Sequence, residues 1–78
     1  MLKMTEGDPY SSLANAIVMQ AAKDYMTALK KLKRSRSNKA ALQDIMDLER
    51  FFHSGLYGEL TSVDPDFLIR ELRKKVGV

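Results

Sequence analysis

Catalysis and ligation need side chains that can hold protons, electrons or metal ions, and this chain offers few. There is one histidine, His53, and no cysteine. That composition excludes a disulfide framework, a thiolate metal site, a cysteine nucleophile and a multi-histidine metal site within one chain. Asp47, Glu49 and Ser54 stand near His53 and are the residue types of a hydrolytic triad. No nucleophile elbow or oxyanion motif accompanies them, and a lone histidine beside Phe51-Phe52 reads as packed or exposed. Asp44 and Asp47 lie three apart on a helix face with Glu49 nearby, but the loop of a calcium site is missing, so solvated charge is the reading. Asp64-Pro65-Asp66 reads as a helix cap followed by a first-turn acid. Gly55 and Gly58 lack the Lys-Ser/Thr that completes a phosphate loop. The residues therefore predict no catalytic centre, no metal, no cofactor and no small-molecule substrate.

The stronger signal is charge. Net charge is +3, too small to name a partner, but its distribution is uneven. Residues 1–40 carry eight basic groups against three acids, and residues 41–78 carry five against seven. Lys30, Lys31, Lys33, Arg34, Arg36 and Lys39 fall within ten residues that contain no acid. Such a run can neutralise phosphates and release their condensed counterions, which makes binding salt-dependent. The same run also suits the negative end of a helix dipole and a solvated loop beyond it. Both readings stand. No aromatic residue is interleaved with the cations, which argues against single-strand binding by base stacking. A recognition helix is also unsupported, because Asp44 and Asp47 follow Asn38, Lys39 and Gln43 and would repel phosphate. An acidic protein surface is the alternative partner for the same six cations.

These residues must be positioned by helices. Asp8-Pro9 is a helix-start signal, since an Asp side chain accepts from the first turn and Pro at the first position loses no bond. Leu13, Ile17, Ala21, Ala22, Tyr25, Met26, Leu29 and Leu32 then recur at spacings of three and four, the stripe of an amphipathic helix. Ser35-Arg36-Ser37-Asn38 breaks the pattern and reads as a short connection. A second stripe follows in Ala41, Leu42, Ile45, Met46, Leu48, Glu49 and Phe52. Phe51 and Phe52 point about 100° apart, so one enters the core and the other needs the next segment as neighbour. Ser54 to Thr61, with two glycines, predicts a brief helical turn with Leu56, Tyr57 and Leu60 on one side. Asp64-Pro65 opens a last helix with Phe67, Leu68, Leu72 and Val76 inward and Arg70, Arg73, Lys74 and Lys75 facing water.

The fold class expected is thus all-α: a small bundle of three main helices at about 8–34, 38–53 and 64–76, with one short turn at about 54–61. Residues 1–7 are expected to be flexible and 8–78 to form a single helical domain. At 45 % apolar and 29 % charged the chain is too apolar for a disordered tail. It contains no apolar run of the roughly 18 residues that span a bilayer and no secretory signal. A cytoplasmic location and no membrane partner are expected. A chain this short buries only roughly 60 % of its unfolded surface. The apolar face of the first helix, with Leu13, Ile17 and Val18 beside Ala16 and Met19, is wide enough to suggest a homodimer.

Glu49-Arg50-Phe51-Phe52-His53-Ser54-Gly55-Leu56-Tyr57, with Leu60-Thr61-Ser62-Val63-Asp64 and Leu68-Ile69-Arg70-Glu71-Leu72-Arg73, resembles a group of small helical proteins. That group is encoded in prophages and other mobile elements of low-GC Gram-positive bacteria. The resemblance covers residues 8 to 76 and is strongest over 48 to 73. Those proteins often carry Trp where this chain has Leu56, and Asp-Gly where it has Asp64-Pro65. The resemblance implies a helical fold and an accessory role in a phage or mobile element, in the bacterial host cell. Arg50 with Glu71, or Arg70 with Asp47 or Glu49, are the expected links between the second and last helices.

Overall fold

The computed structural model describes residues 9–78 of the chain. The flexible segment expected at residues 1–7 and the cap expected at Asp8 lie outside the described residues. Four helices follow in order: α1 (Pro9–Arg34), α2 (Lys39–Phe52), α3 (Gly55–Leu60) and α4 (Pro65–Val76), with no strand among the described residues. The architecture is the all-α bundle that periodicity predicts. Several expected helix ends prove to be caps, whose side chains satisfy first-turn donors. Asn38 accepts from the Ala41 amide at 3.0 Å, Ser54 from Tyr57 at 3.3 Å and Asp64 from Phe67 at 2.9 Å.

α1 is the spine, and each of the other helices packs on it. The turn at Ser35–Asn38, closed by the Asn38 amide on the Ser35 carbonyl, returns α2 antiparallel to α1. α4 runs parallel to α1, which places its C-terminus beside Lys33. Tyr25, Phe52 and Leu29 are the largest fully buried side chains, joined in the core by Ala21, Ala28, Ile45, Tyr57, Leu72 and Val76. Phe52 meets Tyr25 and Tyr57 edge-on, with ring centroids 5.5 and 5.8 Å away. Phe51 is half-buried and stands edge-on to Tyr57 of α3 at 6.0 Å, the second neighbour it requires. No helix among the described residues is long and apolar enough to cross a membrane.

Part of the expected core is outside. Leu13 is 60 % and Ile17 40 % exposed. Ala14, one residue from Leu13, is buried, so the face of α1 that Leu13 and Ile17 occupy, and not its length alone, exposes them. α1 spans about 39 Å against about 21 and 18 Å for α2 and α4. The outline is accordingly elongated, 49 × 22 × 18 Å. Leu42 and Met46 are half-exposed because α2 and α4 touch each other sparingly. Phe67, expected inward, is also half-exposed and carries the Arg70 guanidinium over its ring at 5.9 Å. Leu56 is exposed as well, so of the short turn only Tyr57 is fully buried.

Candidate functional site

All six cations singled out by spacing are exposed. Lys30, Lys31, Lys33 and Arg34 occupy the final turns of α1, Arg36 the connection, and Lys39 the first position of α2. They share one end of the bundle but not one role. Lys33 reaches across to α4, where its ammonium donates to the Val76 carbonyl at 2.9 Å and so caps that helix. Gly77 closes the same terminus in the left-handed conformation (φ 87°), and its amide donates to the Arg73 carbonyl at 2.8 Å. The left-handed backbone selects glycine; a Cβ there would sit 3.0 Å from the Lys33 ammonium, the movable end of a flexible side chain. Lys31 lines a furrow between α1 and α2 with Asp24, Asp44 and Asp47. Lys30, Arg34, Arg36 and Lys39 project from this end without such partners.

The parallel course of α4 adds what linear reading did not combine. Its last turn carries Arg73, Lys74 and Lys75, and the Lys33–Val76 bond fixes that turn beside the end of α1. Nine of the chain's thirteen basic side chains therefore gather at one end of the bundle. Lys33, Arg36 and Arg73 also border a hollow of about 350 Å³ floored by Leu29, Leu32 and Val78. Two helix C-termini lie here, and their partial negative charge offsets some of the cationic field.

A second polar feature ties the three main helices together. The Tyr25 hydroxyl donates to Glu49 Oε2 at 2.5 Å and accepts from Arg73 Nε at 3.0 Å, while Arg73 Nη2 donates to the same carboxylate oxygen at 3.0 Å. This replaces the expected inter-helix links. Arg50 instead pairs with Asp47 one turn back, and Arg70 lies on Phe67. The geometric reason is that Glu49 belongs to the apolar stripe of α2 and faces inward, while Arg50 points to water. Arg73, expected in water, bends back to meet it. Burial, with the bond donated to Glu49, pushes the Tyr25 phenol from 10.0 up to about 12. Burial by itself would raise the Glu49 carboxyl, but hydrogen bonds from Tyr25 and Arg73 outweigh it and hold it below its usual value.

His53 staples α2 to α4. Its Nε2 lies 2.8 Å from Asp66 Oδ1 and its Nδ1 2.9 Å from the Glu49 carbonyl. Both oxygens accept, so the fully satisfied ring donates from both nitrogens and is the imidazolium. The Asp66 bond, followed by the carbonyl bond, raises the His53 pKa. Stability is expected to be greatest between about pH 4.5 and 6.5. The Glu49 contribution, from a lowered pKa, is present above 4.5 and fades as pH falls through the folded value. The His53 contribution, from a raised pKa, is present below 6.5 and fades as pH rises through the folded value. The Tyr25 contribution is present below 10.0 and disappears by about 12, a loss of about 2–3 kcal/mol. Urea unfolding across this range measures the profile, and a flat alkaline limb would contradict the Tyr25–Glu49–Arg73 network.

The other chemical constellations are dispersed. Ser54 is spent on capping α3 and donates to the Phe51 carbonyl at 2.7 Å. Asp44 and Asp47 face the furrow with Lys31, whereas Glu49 faces α1 and α4. Among the described residues no three histidine, aspartate or glutamate side chains converge as a metal site would require. Comparison with protein-family models, with curated proteins and with solved structures found no match.

Proposed function

We propose that this domain is a non-catalytic accessory protein of a phage or mobile element that works by binding, its basic end contacting the phosphate backbone of nucleic acid. The observation that carries this reading is the convergence of two separate basic segments, the Lys30–Lys39 run and the end of α4, on one end of the bundle. Two helix C-termini account for a few cations there, but not for Arg36 in the connection or Lys39 at the positive end of α2. The accessory role, and with it a cytoplasmic setting in a bacterial host, rests on the resemblance carried by the Glu49-Arg50-Phe51-Phe52 and Leu68-Ile69-Arg70 segments. Contact is with the backbone, without base choice, because the site offers no recognition helix and no stacking platform.

The test is a salt titration with duplex and single-stranded oligonucleotides. Binding through about four to six phosphates gives a slope of log K against log salt near −4 to −5 on duplex. No complex at low salt removes the reading and turns attention to an acidic protein surface, for which the same cations serve as a steering patch.

A further inference from the structure

We propose that the hollow between the C-terminal ends of α1 and α4 binds a small amphiphilic anion, a carboxylate carrying a short hydrocarbon tail. The site uses cations of the basic end, but it stands apart from the nucleic-acid reading and is tested without nucleic acid. The hollow, of about 350 Å³, is walled by two stripes. Leu29, Leu32 and Arg36 recur at spacings of three and four along α1 and into the connection, with Lys33 beside them. Arg73 and Gly77 stand four apart on the facing end of α4. A space of this size suits a small ligand and no larger one.

The rim selects the charge of the occupant. Lys33, Arg36 and Arg73 all border the hollow, and no acid does. Arg73 spends its Nε on Tyr25 and one Nη2 proton on Glu49, and Lys33 spends one proton on the Val76 carbonyl. The remaining guanidinium and ammonium protons are left for a ligand. The same bonds hold both side chains in place, so two of the three cations are preorganised before any ligand arrives. Helix C-termini ordinarily repel anions, but here the carbonyls are already occupied. Val76 accepts from Lys33, and Arg73 accepts from the amides of Gly77 and Val78. The floor selects the shape. Buried Leu29, half-buried Leu32 and exposed Val78 offer hydrocarbon beneath the cations. A bare phosphate would leave that floor wet, and a neutral hydrocarbon would leave the cations without a counter-charge. The furrow between α1 and α2 is the contrast: at about 390 Å³ it is of similar size, but Asp24, Asp44 and Asp47 line it and would repel an anion.

Titration of the full chain with hexanoate, followed through backbone amide NMR shifts, is expected to saturate with a dissociation constant of about 1 mM. The largest shifts are expected at Leu32, Lys33, Gly77 and Val78. Acetate lacks the tail and hexan-1-ol lacks the charge, so each is expected to bind at least about tenfold more weakly. Arg36→Gln changes an exposed side chain of the connection. It is expected to keep the helical circular dichroism and to weaken hexanoate at least about fivefold. Val78→Asp, also at an exposed position, places an acid on the floor and is expected to abolish saturation. Lys30→Gln makes the same change in net charge as Arg36→Gln, outside the hollow, and is expected to leave the constant unaltered. Hexanoate that fails to saturate, or binds no more tightly than acetate or hexan-1-ol, overturns the proposal. So does equal weakening by Arg36→Gln and Lys30→Gln, or capture of the chain by phosphatidylglycerol vesicles with no saturable binding of free hexanoate.

Discussion

Phe52→Ala is expected to leave the domain at or beyond the edge of unfolding, with a loss of about 3–5 kcal/mol. Phe52 is fully buried at the point where α1, α2 and α3 meet, and its ring contacts Tyr25, Phe51 and Tyr57. Truncation removes all three ring contacts and opens a void that no single neighbour can fill. Tyr25 cannot move into it without giving up its bonds to Glu49 and Arg73. A domain of this size has about 4–12 kcal/mol in total, so the loss is comparable with the whole. Thermal unfolding followed by circular dichroism measures it, about 4–8 °C being expected per kcal/mol. Phe67→Ala is the control: its ring is half-exposed, and a cost below about 1 kcal/mol is expected. A parental melting temperature for Phe52→Ala would mean that the aromatic cluster does not organise the fold.

The contrast between these two phenylalanines shows what linear pattern reading can and cannot supply. Period and caps placed the helices well because both are local: Asn38, Ser54 and Asp64 act on amides three residues away. Burial is not local. Leu13 and Ile17 have the spacing of core residues, but the buried face of α1 runs through Ala14, Ala21 and Tyr25 and leaves both of them outside it. The charged residues divided for the same reason. Glu49 was legible as an intruder in the apolar stripe of α2, a signal that it needs an inward partner. The identity of that partner depended on α4 lying parallel to α1, which no spacing within α4 encodes. Once Arg73 is turned to Glu49 and Tyr25, Lys74 and Lys75 are carried to the same pole as Lys30–Lys39.

That topology separates the cations that hold the fold from those free to bind, and it sets the second large effect. Reversing Lys30, Arg34, Arg36 and Lys39 together to Glu is expected to reduce duplex affinity at low salt by about a thousandfold or more. Lys33 is left alone because it caps α4 through the Val76 carbonyl, and Lys31 because it faces Asp24, Asp44 and Asp47. The four chosen side chains are exposed and lie away from the buried core. Unfolding is expected to shift only by helix-end terms of about 0.3–1 kcal/mol each, a loss at Arg34 in the last turn of α1 and a gain from Lys39→Glu in the first turn of α2. The decisive quantity is the salt slope, which falls by about 0.9 for every phosphate contact removed. Loss of affinity with an unchanged slope would indicate a damaged fold, not a lost interface. Lys74→Glu with Lys75→Glu is expected to lower the slope again if both segments serve one surface. Lys23→Glu and Arg50→Glu carry the same change in net charge away from this end and are expected to have little effect. Equal weakening by that pair would show that overall charge, and not the assembled basic end, governs binding.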